Sequence, residues 1–494
     1  MNIGSLWSVK PEFRLKVGLL ALTFAFLTAT QAVWRSLKSP IFAKLVGIAY
    51  LPSIKLYSIL FLIPLILLYS KLVDVLRRHQ LLYVFALTHS LGGFLFAYLL
   101  ADPTMGIANV VAAKDRWLGW AFYLFMESFS AFLSTSFWSF ANSVNRPREA
   151  KNFYGLFVAG SKLGGIAAAS SMWLFMMVGT GGLSWLTQHF THTPLHVQDS
   201  TLITILLASG SLFLIGASVC IYFLMRWVPG YYLHGYEAVY QAEKKKERTA
   251  SGFSLLHSLK QMIDGLWVIL SQPYVLGIFS LSLFYDVVMT IVEFYVITAA
   301  DDAYSTVGQL VIYYAAYFLT MHVCGFIVSM FITTPLQRLL SNRTMLLIFP
   351  FLCMVLIITI FLYPSADTLF MVGALLRGAN YGLNHPTREV LYIPTTKEIK
   401  FKSKAWSDAF GSRMAKGSAS LFFKEINLFA PGASFLINNV FMLSITSVWL
   451  IVAYFLGRTL QHALNHKLVI GGEATARTGD ETAEASGEEE SSEN

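Results

Sequence analysis

Apolar stretches of about 20 residues recur along nearly the whole chain, near 17–37, 50–70, 81–101, 118–141, 153–178, 201–228, 274–298, 308–333, 344–364, 368–393, 412–430 and 434–457. A bilayer's hydrocarbon core is ~30 Å thick and takes about 20 helical residues to cross. The pattern therefore predicts twelve transmembrane helices and an all-α, polytopic membrane protein. The first run is long and has no convincing small-residue cleavage site, so it reads as a spanning helix rather than a signal peptide.

The longest polar interruption falls in the middle. It divides the chain into an expected six-helix bundle over 1–228, a cytoplasmic linker over 229–272 and a second six-helix bundle over 273–457. Residues 458–494 form an expected acidic tail that lacks the apolar surface needed to fold. A weak internal match supports two repeated halves: Lys151, Phe153 and Phe157 before the fifth helix against Lys404, Trp406 and Phe410 before the eleventh, each followed by a glycine, Gly164 or Gly417. Repeats of this kind fit a major-facilitator-like architecture, in which two bundles rock about a central site. Gly160 with Gly164, and Gly378 with Gly382, are spaced for close helix packing.

Composition narrows the class. Of 494 residues 55% are hydrophobic and 13% charged, about half the ~25% of an ordinary soluble protein. That excludes a disordered protein, a disulfide scaffold and a coiled coil, and argues against a large soluble enzyme. The formal charge of +8 would fit a nucleic-acid binder, but its distribution says otherwise. With the N-terminus inside, cytoplasmic segments hold 23 Lys or Arg and the outer loops four: Lys38, Lys44, Lys114 and Arg116. Such bias is the positive-inside signature; it predicts cytoplasmic termini, a lipid bilayer as partner and no nucleic-acid polymer. Lys244, Lys245 and Lys246 in the linker read as a topology signal, with anionic headgroups as the alternative. Cys220, Cys324 and Cys353 all fall in predicted spans, which leaves no disulfide framework.

Nine basic residues remain in or at the ends of spans: Arg35, Lys55, Lys162, Arg226, Arg377, Arg388, Arg413, Lys416 and Lys424. Five acids accompany them: Glu127, Asp286, Glu293, Glu389 and Glu425. A charge at a helix centre costs about 2.5–3.5 kcal/mol on insertion scales. Arg226 can snorkel, but Lys55, Lys162 and Arg377 lie too far from a helix end and are expected to face a polar cavity. Interhelical ion pairs could absorb the acids, yet a cationic surplus would remain, and a cationic cavity receives an anion. Arg35 and Lys38, three apart, share a face at the expected outer mouth. Glu127, Asp286 and Glu293 are candidate gates or proton-coupling groups. No resident metal or cofactor is expected. The stretch Gly155 to Lys162 imitates a phosphate-binding loop, but its Ser-Lys order is reversed and no strand precedes it. His189, His192 and His196 have metal-like spacing without the usual companion ligands.

At several of these positions the chain resembles the ATP/ADP translocase family of obligate intracellular bacteria and plastids. Phe137-Trp138-Ser139-Phe140-Ala141-Asn142, then Glu149-Ala150-Lys151-Asn152-Phe153-Tyr154, is similar to the family's FWxFAN and EAKRFY segments. His385-Pro386-Thr387-Arg388-Glu389, the run Lys400 to Lys416, and Leu51-Pro52-Ser53-Ile54-Lys55 match further segments in order. The resemblance implies that Lys55, Glu127, Glu293 and Arg388 stand where the family has two lysines and two glutamates associated with nucleotide transport. Arg388 replaces a lysine, His385 an aspartate, and Ser36 and Ser39 stand where the family has acids. All four changes touch the neighbourhood of the site, and the three that remove an acid make it more positive.

The expected function is transport of ATP, ADP or another nucleotide through a cationic central cavity, by exchange or with protons as coupling ion. Lys55, Arg388, Lys162, Arg377 and Arg35 would bind the substrate, with Glu127 and Glu293 gating. The alternatives are a carrier of another phosphorylated or organic anion, such as a dinucleotide or sugar phosphate, and a membrane-embedded enzyme. The short N-terminus favours a bacterial inner membrane over a plastid envelope.

Overall fold

The computed structural model describes residues 10–145, 147–183, 197–233, 267, 269–395, 399, 411–466, 468 and 470. Among the described residues twelve helices follow the twelve apolar runs. The first half contains α1 (Pro11–Leu45), α2 (Leu51–Val75), α3 (Arg78–Leu100), α4 (Trp117–Val144), α5 (Pro147–Gly179) and α6 (Asp199–Trp227). The second contains α7 (Pro273–Ala303), then α8, which begins as Val307–Ile327 and continues through a π-helical turn, Val328–Thr333, into Thr334–Leu339. Next come α9 (Asn342–Leu362) and α10, which is Ala366–Ala379 followed by a π turn, Asn380–Asn384, and His385–Glu389. α11 (Ser412–Phe429) and α12 (Ser434–Asn465) complete it. Among the described residues there are no strands, only an isolated bridge between Thr395 and Ile470.

Local chemistry sets the helix starts. Proline, whose missing N–H is harmless in a first turn, opens α1, α2 and α7. Thr306 and Gln309 make a reciprocal capping box on α8, and Ser341 and Ser365 cap α9 and α10 through the N–H groups of Thr344 and Thr368.

The halves repeat one packing scheme. α1 packs on α4, α5 and α6, and α3 packs on α4 and α6; shifted by six, α7 packs on α10, α11 and α12, and α9 on α10 and α12. Contacts between the halves follow the same symmetry: α5 meets α8, and α11 meets α2. Gly160 and Gly164 let α5 approach the backbone of α1 at Ala21 and Ala25, while Gly378 does so for α10 on α8. In the cross-half contacts Gly165 lies against His322 and Gly417 against Ile59. The structural counterpart of Gly417 is therefore Gly165, one residue beyond the glycine matched by sequence.

Nine helices among the described residues are long and apolar enough to cross a membrane. The other three, α4, α10 and α11, are the ones that carry Glu127, Arg377 and the Arg413–Lys416 pair. Their lower hydropathy has a cause: each turns a polar stripe inward.

At the end of the bundle where α1 and α7 finish, the halves are tied together. Lys44 Nζ lies 2.7 Å from Asp301 Oδ1 and donates to the Tyr304 carbonyl at 3.1 Å. Asp199, at the start of α6, accepts the Gly308 N–H of α8 at 2.8 Å. A side chain at Gly308 would run into that carboxylate.

Three expectations are refined. α1 continues through Pro40 to Leu45, so Lys38 and Lys44 are helical and not loop residues. Lys16, which precedes the first apolar run and so is expected in the N-terminal cytoplasmic segment, is fully buried in α1 and donates to the carbonyls of Val144 (2.7 Å) and Tyr232 (2.8 Å). α12 runs to Asn465, so 458–465 is helix. Most of the linker, the 471–494 tail and His189, His192 and His196 lie outside the described residues.

Candidate functional site: a cationic cavity between the halves

Seven helices converge on a central cavity of about 320 Å³, at the lower end of the ~300–1,000 Å³ of small-molecule sites. Each contributes one face at helical spacing. α1 presents Gln31, Arg35, Lys38 and Ser39; α2 presents Lys55, Ser58 and Ile59; α4 presents Tyr123, Glu127, Ser130 and Ala131. From the other half α7 brings Tyr285, Asp286, Met289, Thr290 and Glu293, α8 Tyr314 and Phe318, α10 Arg377 and Tyr381, and α11 Ser412, Arg413 and Lys416. Positions i, i+4, i+7 and i+8 fall on one side of a helix, so the lipid-facing sides stay apolar while the polar stripes meet.

Among the described residues six cations and three carboxylates line this cavity, a surplus of +3. The three acids are all engaged. Glu127 accepts from Lys38 at 2.7 Å within the first half. Asp286 lies 3.7 Å from Lys416 within the second. Glu293 is different, because one of its oxygens serves both halves: Oε2 is 3.1 Å from Lys55 Nζ and 3.4 Å from Arg377 Nη2. Aromatic faces give the cations further support. Lys55 lies 4.2 Å from the Phe294 ring centroid, Lys38 4.6 Å from that of Tyr123, and the Arg35 and Arg377 guanidiniums 5.0 and 5.8 Å from that of Phe318.

Of the seven residues expected at the site, Arg35, Lys55, Glu127, Glu293 and Arg377 line the cavity. Lys162 and Arg388 stand behind its wall. Lys162 Nζ lies 4.9 Å from the ring of Tyr381, which does line it. Arg388 donates to the Ser282 hydroxyl, one turn before Asp286 on α7. Arg35 and Lys38 share a face as expected, but that face lines the cavity. Lys38 was the residue hardest to find by sequence, since the apolar run ends at 37; its i+3 spacing from Arg35 was the available signal. Among the described residues no cluster of His, Cys, Asp or Glu could hold a metal ion.

Two pseudo-equivalent six-helix bundles enclosing a charged mid-bundle cavity define a polytopic membrane protein with a major-facilitator-like fold. The fold matches the crystal structure of a D-xylose-proton symporter at TM-score 0.59 and 12% identity, covering 89% of this chain and 96% of that one. A POT family transporter in complex with 5-aminolevulinic acid matches at TM-score 0.53 and 12% identity, over 89% and 96%. Within that class, the family model for the TLC ATP/ADP transporter matches residues 3–460, and the chain belongs to this family. It is similar to ADP,ATP carrier protein 1 of Chlamydia muridarum, at 25% identity over 98% of this chain and 96% of the relative. It is also similar to ADP,ATP carrier protein 1 of Rickettsia prowazekii (22%; 91% and 93%) and to that organism's ADP,ATP carrier protein 5 (25%; 87% and 90%).

Proposed function

We propose that this chain exchanges nucleotides across a bacterial inner membrane by alternating access, with Lys55, Arg35 and Arg377 receiving the phosphates and Glu127 and Glu293 as gating carboxylates. The observation that carries the reading is Glu293 Oε2 held between Lys55 of one half and Arg377 of the other. A phosphate chain competes for the same two cations and so bears directly on how the halves are joined. Arg388 and Lys162, placed behind the wall, would act on the site through Ser282 and Tyr381.

Charge favours exchange over one-way passage. The side chains lining the cavity carry a formal sum of +3, and a net charge is poorly tolerated in the low-dielectric interior during reorientation. A nucleoside diphosphate brings about −3, its terminal group ionising near pH 6. Loaded, the cavity is close to neutral and can reorient; empty, it is held back. Proton-coupled import is the second reading, with Asp286, Glu127 or Glu293 taking the proton. The excess of basic residues in one set of loops supports cytoplasmic termini and a cytoplasmic linker.

Uptake of labelled ATP into proteoliposomes, preloaded with ADP or left empty, tests the mechanism with and without a proton gradient. Exchange requires stimulation by preloading alone; stimulation by the gradient alone would replace it with symport. Lys55→Ala is expected to lower uptake at least tenfold, and unchanged uptake would remove Lys55 from the site.

A further inference from the structure

A groove of about 480 Å³ lies on the other side of α1 from the charged cavity. α5 and α6 both pack along α1 yet barely touch each other, so α1 is left as a floor between two walls. Leu22, Ala25, Phe26, Ala29 and Val33 form that floor. At 3.6 residues per turn they point roughly opposite Gln31, Arg35 and Lys38, which face the charged cavity. The walls carry Ala167 and Ser171 of α5 and Ile205 of α6, all exposed. Among the described residues no charged side chain lines the groove, so it offers an anion nothing. It adjoins the apolar exterior on which Leu22, Leu163 and Leu212 are exposed, and is therefore continuous with the surface that meets the bilayer.

The lining runs from 22 to 33 on α1 and from 164 to 175 on α5, about 16 Å at ~1.5 Å per residue. One leaflet's share of a hydrocarbon core ~30 Å thick is about 15 Å, so the groove is as long as a single acyl chain. Phe175 lies four residues from the end of α5, whereas Gly164 lies seventeen from its start. The groove thus reaches toward the end of the bundle where α1 and α5 finish. Left empty, its walls would forfeit their dispersion contacts, and water would find too few polar partners there. We propose that the groove seats one acyl chain of a membrane phospholipid, which enters from the leaflet at that end and stops against Ala25 and Phe26. Bilayer hydrocarbon is as apolar as the groove, so shape drives the seating: the chain restores contacts that α5 and α6, held apart, do not give each other. The seated chain packs against the back of the helix that carries Arg35 and Lys38, and its seat is independent of which anion the charged cavity takes.

The full chain is reconstituted into vesicles of phosphatidylethanolamine and phosphatidylglycerol that contain a phospholipid with a diazirine on one acyl chain, either near the headgroup or at the chain end. After irradiation the labelled positions are mapped by mass spectrometry, with Leu91, 71% exposed on α3, as the reference for ordinary lipid contact. The chain-end probe is expected to label Ala25 or Phe26, and the headgroup-proximal probe Phe175 or Ile205. Ala167→Trp and, separately, Ser171→Phe fill the groove from its α5 wall. In each, labelling of Ala25 and Phe26 is lost while Leu91 stays labelled, and one folded variant suffices if the other fails to fold. Unlabelled Ala25 and Phe26 in the wild type beside a labelled Leu91 overturns the proposal, and native mass spectrometry then shows whether a second copy of the chain covers the groove. Labelling of Ala25 and Phe26 that persists in a folded, filled variant overturns it as well. The reverse order of the two probes overturns entry from this leaflet.

Discussion

The tie between Asp199 and Gly308 exists only while the halves touch at the end where α1 and α7 finish, so removing it should unbalance the transport cycle in a calculable direction. Asp199 Oδ2 accepts the Gly308 N–H at 2.8 Å, the second residue of α8, where helix N–H groups lack intrahelical acceptors. A hydrogen bond to a charged partner contributes about 1.5–3 kcal/mol, and a carboxylate at a helix N-terminus adds about 0.3–1 kcal/mol at a partly exposed place. Asp199 is half-buried, so about 2 kcal/mol is a fair value for the pair. That changes the ratio of the two conformations about 30-fold, at ~1.4 kcal/mol per decade. Asp199→Ala should therefore shift the population toward the form opened at this end. Spin labels at Ala112→Cys and Ala303→Cys, exposed positions on opposite halves, report it in a double electron–electron resonance measurement, with the partly accessible Cys324 replaced by Ser. A longer-distance component should grow by more than tenfold, and Lys44→Ala should add to it. Asp302→Ala removes the same charge from an exposed position nearby and serves as the control. An unchanged distance distribution in folded Asp199→Ala, or an equal shift in the control, would refute the reasoning.

Two further outcomes follow from other contacts. Lys16→Met leaves the Val144 and Tyr232 carbonyls without a donor they now share in a fully buried place; at about 1–3 kcal/mol for each stranded group, thermal unfolding in detergent should begin several degrees lower, and unchanged unfolding would show that water takes over. In the α3–α4 loop the Thr104 hydroxyl, with the N–H groups of Met105 and Thr104, holds the Asp102 carboxyl below its usual 3.8. A lowered pKa means that the contribution is present above 3.8 and lost as pH falls through the folded value. Pepsin cleavage within 101–116 should accelerate over that acid range and show no such step in Asp102→Asn.

The helices were legible in the sequence because hydropathy in a membrane is nearly a direct record of what faces lipid. The cavity was legible for the same reason inverted: Lys55, Arg377, Glu127 and Glu293 stood out as charges with no other place to go. Lys38 shows the limit. A helix whose inner face is polar looks as though it ends where that face begins, and α1 reads eight residues short of Leu45. Partner choice was also hidden, since Lys38 and Glu127 are 89 residues apart and Lys55 and Glu293 are 238 apart. Nothing local fixes such pairings; the packing of α1 on α4 and the meeting of the two halves do. The dual engagement of Glu293, and with it the link between the halves, was visible only in three dimensions.

The π turns of α8 and α10 sit face to face, with the Thr333 hydroxyl donating to the Gly382 carbonyl at 2.7 Å. A π turn holds about one residue more than the α turn it replaces, and one helical residue is about 100° of rotation. Chain length at 380–384 therefore sets the azimuth of everything after it. Deleting a single residue there, whatever its identity, would swing Arg388 about a quarter-turn away from Ser282 while leaving Arg377 in place. The same arithmetic governs alignment: a gap placed in this pentad would pair Arg388 with the wrong residue of a relative, and a conservative substitution would look like a loss. In this half of the molecule a count of residues is as much a functional determinant as any side chain.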